Sequence, residues 1–154
     1  MLKMIAVITI TLILLVIATL FVLGFMSKSG EAKGLVEGRL SQCPQKPNCV
    51  CSEFKADTDH FIEPLAISSE DTADVMARLA AVIRKMGGTI QQGKDNYLAA
   101  TFTSGIFKFV DDLEIRIDRG TNLVHLRSAS RVGYGDRGVN RHRIEQLKKF
   151  IHRT

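Results

Sequence analysis

The sequence has no tryptophan, and only 6% of its 154 residues are aromatic. Its net charge of +5 is mild, and its few aromatic residues are not interleaved with lysines and arginines as they are on surfaces that stack single-stranded nucleic acid. A basic protein favours acidic partners, such as an anionic lipid or a phosphorylated ligand. We therefore expect an anionic partner, and no nucleic acid.

Charged residues are absent from Met4 to Met26, a run of 23 residues dominated by aliphatic side chains. A helix of this length spans roughly 34 Å, enough to cross a hydrocarbon core of about 30 Å. The run exceeds the apolar region of a secretory signal peptide, and no A-x-A-like cleavage site follows it. No cysteine ends the run, which argues against lipoprotein processing. We predict an uncleaved single-pass signal anchor over residues 4–26.

The flanks of this anchor give opposite indications of topology. Lys28, Lys33 and Arg39 outnumber Lys3, which by the positive-inside rule favours a cytoplasmic domain. A three-residue leader is instead typical of a signal anchor that translocates the chain behind it. Residues 27–41 are rich in Gly, Ser, Lys and Glu, a composition that predicts a flexible spacer.

The chain has three cysteines and no C-x-x-C motif, which argues against a thioredoxin-like redox role. Two prolines stiffen the loop between Cys43 and Cys49 and favour a disulfide there in an oxidising compartment. Pairing of Cys43 with Cys51 is the alternative, and either pairing leaves one thiol. Three thiolates with His60 would match a Cys₃His zinc site, but the spacing does not fit C-x₂₋₄-C. We predict no metal site and no cofactor.

Residues 42–154 predict one α+β domain. A strand at 61–67, restricted to a sheet edge by its proline, precedes a helix that begins at Ser68 or Ser69 with Asp71 in a capping-box position. Two glycines end this helix, after an apolar stripe of Val75, Met76, Leu79, Val82, Ile83 and Met86.

The period then changes to two, which is typical of strands. Strands are predicted at 89–92 and 97–103, and two more around the alternating residues Leu113, Ile115, Ile117, Val124 and Leu126. A final helix carries a stripe of Asn140, Ile144, Leu147 and Ile151. The predicted order is β-α-β-β-β-β-α: a four- to five-stranded antiparallel sheet with two helices on one face and a polar, open second face.

Strand alternation places one group of polar side chains together on the open face: Asp112, Glu114, Arg116, His125, Arg127 and Arg131. A glycine-rich turn at 133–138 leads into the last helix, where backbone N–H groups are able to receive an anion and arginines supply bidentate donors. We predict a ligand-binding site for an anion formed by Asp112, Arg127, Arg131, Asp136, Asn140 and Arg141. The alternative is that the aspartates and arginines form cross-strand ion pairs and that Asp136 caps the helix.

A catalytic constellation is not evident. Asp111 and Asp112 are adjacent on a strand and point to opposite faces, so they are not a carboxylate pair. Ser128 and Ser130 face the core, whereas His125 faces the other way. We therefore expect a membrane-anchored, non-catalytic module that binds an anionic ligand, a lipid head group or an envelope protein. An accessory or assembly subunit of a membrane complex and a hydrolase or metal-dependent enzyme are the alternatives.

Three segments together resemble the domain of unknown function 1499 family over about residues 40–151: Cys43-Pro44…Pro47-Asn48-Cys49-Val50, Phe109-Val110-Asp111-Asp112, and Arg127-Ser128-Ala129-Ser130-Arg131-Val132-Gly133-Tyr134…Asp136…Gly138-Val139-Asn140-Arg141. The resemblance implies a bacterial or plastid protein, often behind an N-terminal hydrophobic segment, without an established activity. Family members usually have serine where this chain has Cys51, which implies that Cys43 pairs with Cys49. We accordingly expect a bacterial inner-membrane protein with a periplasmic domain.

Overall fold

The computed structural model describes residues 1–67 and 72–151. The elements in chain order are α1 (Leu2–Ser27), β1 (Leu35–Val36), β2 (Arg39–Leu40), β3 (Cys49–Cys51), β4 (Leu65–Ala66), α2 (Thr72–Lys85), β5 (Thr89–Lys94), β6 (Tyr97–Thr103), β7 (Val110–Asp118), β8 (Leu123–Ser130) and α3 (Val139–Ile151). The helix start predicted at Ser68 or Ser69, with Asp71, lies outside the described residues.

The main sheet has six strands and confirms the α+β prediction. Its path is β3-β8-β7-β6-β5, and β4 also pairs with β8. The pairings between its named strands are antiparallel, and an isolated parallel bridge joins Cys51 to Phe61. The strand beyond those predicted is β3, which is only three residues long and pairs with residues 127–129. So short a run carries no recognisable period, and its partner lies far away in the sequence.

Helices α2 and α3 pack on one face of this sheet. Most residues of both predicted helical stripes are buried there, and Met76, Met86 and Ile151 are partly buried against the same core. The core also contains the alternating residues of β7 and β8: Leu113, Ile115, Ile117, Val124 and Leu126. Burial of these aliphatic side chains is the main source of stability for the domain. The strand alternation used to predict the polar face is therefore correct.

The second face of the sheet is covered, whereas the sequence predicts an open face. Residues 30–48, here called the covering segment, lie over it. Leu40, which is 1% exposed, forms a second small core with Cys43, Cys49, Cys51, Tyr97, Ala99 and Ala129. Within residues 27–41, where a spacer is expected, β1 and β2 form a hairpin. This cover depends on contacts between distant residues, which local composition does not reveal.

Helix α1 has 26 residues and is long and apolar enough to cross a membrane. The hydroxyl groups of Thr9, Thr11 and Thr19 each donate to the carbonyl oxygen four residues earlier, at 2.8–2.9 Å. These three hydroxyl groups are therefore satisfied within the helix, which is compatible with a lipid environment.

The last turn of α1 contacts the domain. The Ser27 side chain is buried, and its oxygen accepts a hydrogen bond from the Val110 backbone N–H at 3.0 Å. A Cβ atom at Gly24 would lie 1.7 Å from the Phe107 carbonyl oxygen, so this close approach requires glycine. The end of α1 is thus joined to the loop between β6 and β7.

Candidate functional site

The structure contains the disulfide between Cys43 and Cys49, and Cys51 is the free cysteine. The pairing of Cys43 with Cys51 is therefore wrong. The disulfide also uses two of the three thiols that a Cys₃His zinc site would need. Cys51 is buried, and this burial raises the pKa of its thiol to about 11. Cys51 thus behaves as an unreactive core residue.

A fully buried carboxylate, Glu114, lies at the centre of the covered face. Arg127 Nη1 donates to its Oε2 at 2.6 Å. Its Oε1 accepts hydrogen bonds from the Tyr97 hydroxyl and from the Gly34 backbone N–H, both at 2.8 Å. Burial, followed by the neighbouring Glu114 charge, raises the pKa of Tyr97 above its ordinary range, which keeps this phenol a hydrogen-bond donor. Three donors from β6, β8 and the covering segment thus hold one buried charge.

A second buried carboxylate, Glu53, joins the covering segment to β7. Arg116 Nε donates to Glu53 Oε1 at 2.6 Å, and Arg39 Nε donates to Oε2 at 2.9 Å. Burial disfavours the charged form of Glu53, but the hydrogen bonds from Arg116 and Arg39 outweigh burial and hold its pKa below the ordinary value of 4.5. The covering segment is therefore held by ionised groups in addition to apolar contacts.

A third pair, Arg131 with Asp112, lies beside the end of α1. The Arg131 guanidinium donates to both Asp112 carboxylate oxygens, at 2.9 and 2.7 Å. Its Nη1 also donates to the Ser27 carbonyl oxygen at 3.2 Å. Arg131 therefore ties the last turn of α1 to the sheet while it pairs with a buried aspartate.

A cleft of about 540 Å³ opens next to these pairs. We call it the arginine cleft, and its lining includes Lys33, Lys46, Asn48, Asp112, Arg127 and Arg131. Two buried polar atoms of its lining residues, Arg127 Nε and Asn48 Oδ1, have no hydrogen-bond partner within the described residues. One is a donor and the other an acceptor, and buried polar groups normally have partners.

A second cleft of about 810 Å³ lies on the other side of the disulfide loop. We call it the histidine cleft, and its lining includes Lys46, Asp57, His60, Tyr134, Asp136 and Arg141. His60 Nδ1 is 2.8 Å from Asp57 Oδ1, and its Nε2 is 3.0 Å from the Lys46 carbonyl oxygen. Arg141 donates to the carbonyl oxygens of Phe61 and Asp59. His60 thus braces the disulfide loop, and Arg141 braces residues 59–61.

A serine and a histidine also meet beside β3. Ser52 Oγ lies 3.2 Å from His125 Nδ1 and accepts the Leu126 backbone N–H at 2.9 Å. Burial lowers the pKa of His125 below its ordinary value. Because the Ser52 hydroxyl is itself buried and bonded to the backbone of β8, the pair fixes the end of β3 against the sheet.

A family model described as "Protein of unknown function (DUF1499)" matches residues 39–150. The chain belongs to this family. No curated protein matches the chain. The DUF1499 match covers the sheet, both domain helices, the disulfide and the lining of the histidine cleft. Within it lie most of the residues that line the arginine cleft, although Lys33 precedes the matched region.

The predicted site residues separate into three places within the DUF1499 domain. Asp112, Arg127 and Arg131 line the arginine cleft, whereas Asp136 and Arg141 line the histidine cleft. Asp136 also accepts a hydrogen bond from the backbone N–H of Asn140 at 2.7 Å. This is the contact expected if Asp136 caps the last helix, the alternative to a role in ligand binding.

Asn140 lines neither of the two clefts. It is fully buried, donates to the Asn48 carbonyl oxygen at 2.9 Å and accepts from the Ser128 hydroxyl at 2.6 Å.

Of the ion pairs expected between Asp111, Asp112, Arg127 and Arg131, the pair of Asp112 with Arg131 is present. Asp111 instead pairs with Arg143 of α3, and Arg127 pairs with Glu114. The sequence did not indicate Asn48, Lys33 or Lys46 as cleft residues. The signal for Asn48 was its place beside Cys49 in the family motif.

Proposed function

We propose that this protein is a single-pass, membrane-anchored and non-catalytic module that binds an anionic ligand in the arginine cleft. In this proposal α1 is the anchor and the domain lies on the periplasmic side of a bacterial inner membrane. The Cys43–Cys49 disulfide supports the periplasmic side, because such bonds persist in oxidising compartments. The apolar length of α1 supports the anchor.

The observation that carries the proposal is the pair of buried, unpartnered atoms on residues of one cleft. Arg127 is 4% exposed, and its Nη1 already donates a hydrogen bond to Glu114. Its unpartnered Nε–H therefore needs a separate acceptor. Asn48 Oδ1 needs a donor. An anionic oxygen is the acceptor that suits Arg127 Nε, and a hydroxyl or amino group is the donor that suits Asn48 Oδ1.

The charge around the arginine cleft agrees with such a ligand. Lys33, Lys46 and Arg131 lie on its lining, together with Asp112 and Glu31. Arg131 is paired with Asp112, which leaves the lysines to attract an anion. The cleft also includes Gly30, only three residues after the end of α1. A phosphate ester, either free or as a lipid head group near the membrane surface, fits this chemistry and position.

Binding is testable on the full chain in detergent with inorganic phosphate and glycerol 3-phosphate as probes. We expect glycerol 3-phosphate, which carries hydroxyl groups, to raise the melting temperature more than inorganic phosphate does. Arg127→Lys should abolish the rise, because lysine keeps the charge that Glu114 needs but lacks the Nε–H donor.

Arg143→Lys is the matched control. Arg143 pairs with Asp111 on the helix-packed face and also donates to Ser128, so its replacement has a comparable effect on folding without touching the cleft. It should retain the ligand-induced rise. An equal rise in wild type and Arg127→Lys would contradict the proposal, and vesicles that contain phosphatidylglycerol would distinguish a lipid source from a free one.

A further inference from the structure

The loop between β6 and β7, residues 104–109 and here called the aromatic loop, runs beside the last turns of α1. Its end is fixed at Val110, whose N–H donates to Ser27 Oγ. Three residues before Val110, the Phe107 carbonyl oxygen lies against Gly24 of α1. The Phe107 ring then meets the Phe21 ring edge-on, with the ring centroids 5.2 Å apart. The loop therefore extends from the domain toward the N-terminus of α1.

These contacts fix the level of the loop along the helix. Six residues separate Phe21 from Ser27, which corresponds to roughly 9 Å along the helix axis. Phe21 and Gly24 both belong to the uncharged run that ends at Met26. The aromatic loop is thus level with the end of the apolar run, and Val110, where β7 begins, is level with Ser27.

The chemistry of the loop suits the boundary between acyl chains and head groups. Ile106 is 73% exposed, although it is a large aliphatic residue. The Phe107 and Phe109 rings lie 6.0 Å apart, and Lys108 lies between them in the sequence. Directly after α1, Lys28 places its Nζ over the ring of Phe25 at 5.9 Å. Exposed apolar side chains next to lysines are typical of segments that lie in a membrane interface.

The backbone at the base of the aromatic loop is closed by hydrogen bonds. Ser104 N–H donates to the Phe109 carbonyl oxygen at 2.8 Å, and Phe109 N–H donates to Ser104 Oγ at 2.9 Å. Unsatisfied backbone groups oppose entry into lipid. This closure reduces the number of such groups that the loop would bring to the bilayer surface.

We propose that the aromatic loop inserts into the bilayer beside α1, with Ile106 and Phe107 among the acyl chains and Lys28 and Lys108 at the head groups. The inference rests on the proposed anchoring of α1, because the level of the loop is measured against that helix. Insertion gives the domain two points of contact with the membrane and so fixes its orientation. The arginine cleft, joined to α1 through Arg131, is then held near the head groups.

The absence of tryptophan allows single-tryptophan probes in the full chain. Ile106→Trp, reconstituted in vesicles of phosphatidylethanolamine and phosphatidylglycerol, should lose most of its fluorescence when the lipids carry bromine on their acyl chains. Leu12→Trp, within α1, should be quenched as well. Thr121→Trp should keep its full emission, because Thr121 follows β7 at the end of the strand roughly 26 Å from the loop.

The three probes separate the failure of this inference from the failure of the anchor. Quenching of Leu12→Trp without quenching of Ile106→Trp would overturn the inserted loop and leave the anchor in place. Absence of quenching at Leu12→Trp would overturn the anchor itself. Emission from Ile106→Trp that is unquenched at high protein density and becomes quenched only on dilution in lipid would mean that a second copy covers the loop, which also overturns the inference.

Discussion

The two faces of the main sheet are buried in opposite ways. The face toward α2 and α3 is filled mainly by aliphatic side chains of β7 and β8, such as Leu113 and Leu126. The covered face instead contains Glu114 and Arg127, neither more than 4% exposed, beneath the covering segment. Buried ion pairs often contribute little net stability, because the desolvation of both charges offsets their attraction. We infer that the helix-packed face supplies most of the stability and that the charge pairs set the position of the covering segment.

The largest expected effect comes from removing one partner of the central pair. Arg127→Ala leaves the Glu114 carboxylate buried with only Tyr97 and Gly34 as donors, which should lower the free energy of unfolding by about 3–5 kcal/mol. Leu126→Ala, at the neighbouring position on the opposite face, should cost about 2–5 kcal/mol through the cavity it leaves. Chemical denaturation of the full chain in detergent measures both.

A double replacement tests whether the buried ion pair contributes net stability, as the aliphatic side chains of the other face do. Glu114→Gln combined with Arg127→Met removes both charges and keeps an acceptor oxygen for the Tyr97 hydroxyl and the Gly34 N–H, so it should recover most of the stability that Arg127→Ala loses. A double variant as unstable as Arg127→Ala would show that the pair contributes net stability. The contrast between the two faces would then be wrong.

The helix-packed face was predictable from local periodicity, because residues such as Val75 and Leu79 on α2 repeat with the helical period. Strand alternation also placed Glu114 and Arg127 on one face correctly. The cover of that face was not predictable, because Leu40 is an isolated apolar residue in a polar segment and its contacts lie far away in the sequence.

The predicted site was limited by the same cause. Arg127 and Arg131 share a cleft because they lie on the same face of β8 and its extension. Arg141 is separated from them because α3 begins on the other side of the disulfide loop, a direction that the sequence alone does not specify. Asn140 was placed correctly on a buried helical stripe, and that burial is what removes it from both clefts.

The disulfide should have an intermediate effect, because it restrains the covering segment. The double replacement of Cys43 and Cys49 by serine should lower the free energy of unfolding by roughly 2–2.5 kcal/mol, the value expected for closing so short a loop. A reductant should produce a similar loss in the wild-type protein. Thermal unfolding with and without reductant measures the change.

Cys51→Ala provides the control. It removes the buried free thiol but should leave the response to reductant intact, because the Cys43–Cys49 bond remains. In intact cells trapped with acid, the wild-type chain should show one reactive thiol after denaturation and three after reduction. Three reactive thiols before reduction would contradict both the structural disulfide and the periplasmic location.

The smallest expected effect is at Glu53, at the edge of the covered face. Its folded-state pKa is below 4.5, because the hydrogen bonds from Arg116 and Arg39 outweigh burial. The stability this carboxylate contributes is therefore fully present above about pH 4.5 and is lost as the pH falls through the lowered folded-state pKa. Glu53→Gln should make unfolding less sensitive to acid below pH 4.5, measured by denaturation at pH 7 and pH 3.

Arg39→Ala separates the two donors, since the Arg39 side chain is 53% exposed and that of Arg116 only 11%. Solvent screens the exposed pair, so its loss at pH 7 should cost at most about 1 kcal/mol, and Glu53 should still be held in its ionised form by Arg116. An acid response in Arg39→Ala as weak as that of Glu53→Gln would mean that the exposed arginine controls Glu53. In that case the exposed contact of Arg39 with Glu53 would hold the covering segment in place, and the buried pairs would not set its position.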